Sequence, residues 1–241
     1  MTFSSPEFWI ALMQIIGVNI VLSGDNAVVI ALAARSLPPA RQKRAVMWGS
    51  AAAVVMRIAL TLLAVELLRL PYLKLVGAAL LLWIALQLLL PSEEDGDIGR
   101  AASGMASAIK TILLADLVMS LDNVIAVAAA AKGSTALLVI GLCISIPLVV
   151  FASTLLLKLM TRWPIIITLG AALLGWVAGE MAVSDPVARG WIDAQWPVLH
   201  HLAPIVAAAG VVALGTWLAR RAASRGSAES ALDPSPDEAQ A

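Results

Sequence analysis

The chain has 241 residues, 61% of them hydrophobic and 13% charged, with a formal net charge of zero. A soluble domain carries about a quarter charged residues, so most of this chain cannot be a water-facing surface, and no bulk positive field invites nucleic acid. The lone Cys143 excludes a disulfide framework or a thiolate metal cluster within one chain.

The N-terminus lacks a basic region and carries Glu7 ahead of an apolar run too long for a signal h-region, so no removable signal peptide is expected. Apolar stretches of about 20 residues, the length that crosses a hydrocarbon core, then alternate with short charge clusters. They predict an all-α membrane protein with seven spans, at roughly 8–34, 45–68, 70–90, 109–131, 135–157, 163–183 and 200–219. No period-two alternation is present, which rules out a β-barrel. Pro71, Pro91, Pro164 and Pro197 fall at the expected ends, whereas Pro147 falls inside the fifth span and predicts a kink. Trp9, Trp48, Trp163 and Trp217 lie near span ends, as interfacial aromatics do.

Arg35, Arg41, Lys43, Arg44, Arg100, Lys110, Lys158, Arg162, Arg220, Arg221 and Arg225 fall on one side of this layout. Arg69, Lys74, Lys132 and Arg189 fall on the other. The positive-inside rule then places the N-terminus outside and the C-terminus in the cytoplasm. The acidic run Glu93, Glu94, Asp95 and Asp97 reads as a solvated cytoplasmic linker. Residues 184–197, with Trp191 and Trp196, are expected along the outer interface. Residues 1–220 form the expected transmembrane domain, and 221–241 a cytoplasmic tail whose Ser, Pro, Ala and acidic content predicts disorder.

The chain repeats itself. Asn19-Ile-Val-Leu-Ser23-Gly-Asp25-Asn26 in the first span aligns without a gap to Asp116-Leu-Val-Met-Ser120-Leu-Asp122-Asn123 in the fourth. Gly77-Ala-Ala-Leu-Leu-Leu-Trp83 in the third aligns to Gly170-Ala-Ala-Leu-Leu-Gly-Trp176 in the sixth. Two three-span repeats, about 8–90 and 109–183, and an extra helix at 200–219 follow. Three is odd, so the second repeat enters from the opposite side, and the two motifs can meet near the midplane of an inverted-repeat transporter.

Each charged Asp at a helix centre costs roughly 2.5–3.5 kcal/mol even on the lenient insertion scale, so Asp25, Asp116 and Asp122 must pair, neutralise or bind something. Carboxylate, carboxamide and hydroxyl oxygens without a soft donor suit the hard divalent cations Mg²⁺, Ca²⁺ or Mn²⁺. At about 100° per residue, positions 116, 120 and 123 share a face, as do 19, 23 and 26, whereas 25 and 122 fall roughly 120° away. Either the helix is locally unwound, as Gly24 suggests for the first span, or the off-face Asp meets another span. The structural alternative is that Arg57, the only basic residue deep in a span, neutralises one carboxylate, which leaves two. Glu66 and Glu180 read as interfacial carboxylates, although Glu180, opposite Gln87 in the repeat, also suits an ion pathway. His200 and His201 read as interface residues.

Ser23-Gly-Asp25-Asn26-Ala-Val-Val-Ile-Ala-Leu-Ala, with the basic connection and Arg57 after it, resembles the TerC family of integral membrane proteins. Asp116-Leu-Val-Met-Ser-Leu-Asp122-Asn123 is similar to that family's second signature, and the likeness covers nearly all of 8–220. It resembles the compact metal-transporter branch, within a wider superfamily of LysE-like exporters. The resemblance implies manganese(II) efflux, with Asn19, Asp25, Asn26, Asp116, Asp122 and Asn123 as the metal-site residues.

The expectation is a secondary exporter of a divalent cation, Mn²⁺ by resemblance, working by alternating access and coupled to protons. No nucleotide-binding loop is present; no enzyme activity, resident cofactor or nucleic-acid partner is expected, and self-association is left open. A membrane scaffold that aids assembly or metallation of exported proteins, and a small-solute exporter, are the alternatives.

Overall fold

The computed structural model describes residues 6–22, 24–67, 70–90, 98–131 and 134–232. Among them the structure is all-helical, in chain order α1 (Pro6–Leu22), α2 (Gly24–Ala34), α3 (Pro39–Leu67), α4 (Leu73–Leu89), α5 (Ile98–Ala131), α6 (Thr135–Arg162), α7 (Ile165–Ser184), α8 (Pro186–Gln195) and α9 (Leu199–Leu232). Five helices contain stretches long and apolar enough to cross a membrane: Pro39–Leu63, Gly104–Leu121, Thr135–Arg162, Ile165–Ser184 and Leu199–Arg221. The expected first and third spans take a shorter form. Phe8–Gly17, Gly24–Ala34 and Leu73–Leu89 are apolar but brief, and the 17 residues of α4 reach about 25 Å, the low end of what a span needs.

The expected first span is described as two helices, α1 and α2, on either side of Ser23, which lies outside the described residues. α6 runs through Pro147 as one helix. The expected interfacial segment contains α8, whose exposed Trp191 contrasts with the buried Ile192 beside it. The tail departs from expectation. α9 continues to Leu232, past the point where composition predicted loss of order, because Ala-rich sequence with interspersed Arg and Glu favours helix. Residues 233–241, the acidic linker 91–97 and the side chain of Glu66 lie outside the described residues.

The packing follows a definite pattern. α3 packs along α5, while α1 and α2 pack on α6; α4 packs on α7, and α9 lies outside against α7 and α4. Small residues permit the closest approaches. Ile112 of α5, fully buried, packs over Gly49 of α3, and Ile15 of α1, also fully buried, packs over Gly141 of α6. At Gly179 of α7 the neighbour is backbone: an added Cβ would stand 2.5 Å from Pro204 Cα and 2.7 Å from the Ala203 carbonyl of α9.

Two apolar clusters fill the interior. One gathers Phe8 to Ile15, Val54, Val127 and Leu137 to Leu142; the other gathers Val29 to Ala34, Val46, Ile112 to Met119 and much of α7. Asp185 is fully buried and starts two helices at once. Its Oδ1 accepts from Val187 N of α8 (2.9 Å), and its Oδ2 accepts from Lys74 N (3.1 Å) and Leu75 N (3.3 Å) of α4. α4 needs this help, because its own cap residue, Tyr72, is left-handed at φ 65° and offers no side-chain bond.

Gly179→Ala is expected to destabilise the protein by about 1–3 kcal/mol, since helix backbone cannot rotate away as a side chain can. Asp185→Ala should cost about 1–3 kcal/mol through the orphaned helix N–H groups. Thermal unfolding of the purified protein checks both.

Candidate cation site

The best-defined polar feature inside the bundle joins α3 to α5. Arg57 Nη2 donates to Asp116 Oδ1 at 2.5 Å, and Arg57 Nε donates to Ser120 Oγ at 3.0 Å. Ser120 Oγ in turn donates to Asp116 Oδ2 at 3.3 Å, across one helical turn. Arg57 and Asp116 are each 5% exposed and Ser120 is fully buried, so all three groups have left solvent. Such a pair persists only with close geometry and further hydrogen bonds on the remaining polar atoms. Here Ser120 supplies one. Thr61, a turn further along α3, donates back to the Arg57 carbonyl at 2.7 Å.

The first motif approaches from α2. Asp25 stands half-buried in the first turn of α2, where the positive end of the helix dipole suits a carboxylate, and Asn26 beside it is 3% exposed. α2 packs against α3, α5 and α7, the helices that carry Arg57, Asp116 and Glu180. Glu180 is exposed and held by Trp176, whose Nε1 donates to Glu180 Oε1 at 2.8 Å.

Of the six residues expected at a metal site, Asp25, Asn26 and Asp116 are therefore located. The side chains of Asn19, Asp122 and Asn123 lie outside the described residues. α5 stays helical through residues 122 and 123, so local unwinding is not how the second motif is arranged. Among the described residues no three His, Cys, Asp or Glu side chains converge as a metal cluster. Ser120 was aligned with Ser23 in the sequence without a role, and the structure makes it the third member of the ion-pair network. Asp185 was missed altogether, although Asp-Pro is a helix-start signal, a capping side chain followed by proline at the first helical position.

Comparison with known proteins agrees with the motifs. Residues 4–223 match the integral membrane protein TerC family. This chain belongs to that family. It is similar to the uncharacterized membrane protein YjbE of Bacillus subtilis (strain 168), 42% identical over 206 residues that cover 86% of this chain and 94% of that protein. It is 26% identical over 196 residues to the uncharacterized membrane protein YkoY of the same organism, covering 73% of this chain and 60% of that protein. The UPF0053 inner membrane protein YgdQ of Escherichia coli (strain K12) is 31% identical over 140 residues, 51% of this chain and 59% of that protein. No solved structure matches. The TerC chain is thus an integral membrane protein with several apolar helices, bearing a buried charge network between them.

Arg57→Met alone should cost about 3–5 kcal/mol by leaving Asp116 buried and uncompensated, whereas Arg57→Met with Asp116→Asn should unfold close to the wild type. Paired denaturation curves of the two variants check this.

Proposed function

We propose that this TerC protein is a secondary transporter that exports a divalent cation, Mn²⁺ above others, from the cytoplasm in exchange for protons. The observation that carries the reading is the polar core: Asp116 with its Arg57 and Ser120 partners, buried between apolar helices, and half-buried Asp25 at the start of α2, which packs on the same two helices. Ionisable side chains at that depth are costly and mark ion pathways. Asn19, Asp25, Asn26, Asp116, Asp122 and Asn123 form the cation site, with hard oxygen donors throughout. Arg57 compensates only one of three carboxylates; the others take a cation when loaded and protons when empty. The metal is substrate, and the protein needs neither catalysis nor a resident cofactor.

Alternating access rests on inverted three-helix repeats within a seven-span layout. Three counterparts support it. Ile15 and Ile112 are 97 residues apart, as are Asp25 and Asp122, and each packs over a glycine of the opposite half, Gly141 and Gly49. Those glycines are 92 residues apart, and so are Thr61 and Ser153, each donating one turn back to a carbonyl, of Arg57 and of Val149. The helix pairing exchanges likewise, α3 on α5 against α6 on α1 and α2. The Lys and Arg bias supports a cytoplasmic C-terminus, and the similar YgdQ is by name an inner membrane protein.

Asp122→Asn is expected to abolish Mn²⁺ flux in proteoliposomes while the protein folds and inserts. Flux at the wild-type rate in that variant, or none in the wild type with Mn²⁺, Ca²⁺, Mg²⁺ or Zn²⁺, overturns the reading.

A further inference from the structure

A buried hydroxyl of α3 has no partner among the described residues. Ser50 is 1% exposed, and its Oγ makes no hydrogen bond there. A buried polar atom left unbonded costs stability, so such an atom points to a use beyond packing. Other hydroxyls in these helices are satisfied locally. Thr61 of the same helix donates to the Arg57 carbonyl about one turn back, and Ser145, Ser153, Thr154 and Thr216 bond likewise in α6 and α9. Ser50 does not. The 92-residue spacing that relates Gly49 to Gly141 makes Leu142 its counterpart, and that residue is apolar and fully buried, so packing at this position does not require a hydroxyl.

Its position suggests the use. Ser50 precedes Arg57 by two helical turns, so the two share one face of α3, about 10 Å apart along the axis. That face meets α5, through the bonds of Arg57 to Asp116 and Ser120. Gly49, next to Ser50, meets Ile112, one turn before Asp116, so Ser50 stands on the side of the ion pair nearer the start of α3. The Lys and Arg bias assigns that side to the cytoplasm. Asp25 reaches the same level from α2. Residues 35–38 join α2 to α3 and the two helices pack together, so they run antiparallel. Asp25 is about 14 Å from the end of α2, and Ser50 about 16 Å from the start of α3, at the rise of a regular helix. A buried hydroxyl and a half-buried carboxylate are thereby brought to one depth.

We propose that Ser50 is a cation-binding residue: its hydroxyl oxygen joins the Asp25 carboxylate as a ligand for the divalent cation, on the cytoplasmic side of the Arg57–Asp116 pair. The inference rests on the cation-transport reading above and adds a ligand that neither repeated motif contains. A hydroxyl is a hard, neutral oxygen donor, the kind that Mg²⁺, Ca²⁺ and Mn²⁺ accept beside a carboxylate. With Leu142 as its counterpart, the ligand stands on one side only, the side from which an exporter loads.

The test uses full-length protein in nanodiscs with Mn²⁺ and Cd²⁺ as probes, binding measured by equilibrium dialysis and folding by thermal melting. Ser50→Ala removes an unbonded polar atom, so it is expected to melt at or above the wild-type temperature while Mn²⁺ affinity falls about five- to tenfold. Ser50→Cys exchanges the hard oxygen for a soft sulfur of similar size. In a Cys143→Ser background it is expected to raise the ratio of Cd²⁺ to Mn²⁺ affinity about tenfold or more, a ratio that a packing role would leave unmoved. A Ser50→Ala variant that binds Mn²⁺ as the wild type does, or that melts below it, or a Ser50→Cys variant with an unchanged ratio, overturns the proposal and leaves the transport reading standing. Absence of Mn²⁺ binding by the wild type removes both.

Discussion

An ion pair buried among apolar helices imposes a strict condition on everything around it. Arg57 and Asp116 are stable together only at close range and with their remaining polar atoms bonded, and neither tolerates the loss of the other. Meeting that condition requires α3 and α5 to hold their register, which Ile112 seated over Gly49 helps to fix one side of the network. Ser120, one turn from Asp116, then closes the third edge. All three residues are buried, so the network is closed off from bulk water. A low dielectric strengthens each of these bonds and raises the penalty for any that is missing.

The same condition explains how the helices divide their work. α3 and α5 carry the fixed charges, and α2 brings Asp25 to the edge of that region in a less enclosed setting. α4, α7 and α9 pack together, and small residues on α7 let α9 approach to backbone contact. Rigid pairing on one side and a half-buried carboxylate on the other divide a fixed element from an accessible one.

Much of this was legible in the residues. The acidic repeat, its position inside apolar stretches and the singular Arg57 could all be read without coordinates, and the structure joined Arg57 to Asp116 as the charge argument allowed. The family followed from the same two motifs. Helix ends were less legible: α5 starts at Ile98 and α9 runs to Leu232, because Ala-rich polar sequence continues a helix beyond the apolar stretch that marks a span. The serine of the network was invisible as a partner, since a hydroxyl in an apolar helix more often bonds its own backbone, as Thr61, Ser145 and Ser153 do here. Asp185 was hidden for a different reason. Its second set of partners lies 110 and 111 residues away on α4, a distance no local pattern encodes.

That carboxylate carries an electrical consequence. The start of each helix bears about half a positive charge, and Asp185 caps two of them. The two helix starts together offset much of the carboxylate's charge. A formally ionic corner can therefore sit fully enclosed beside a hydrocarbon boundary as a self-neutralising joint. Because the joint is neutral only while both helix starts are in place, α4 and α8 are obliged to move as one body.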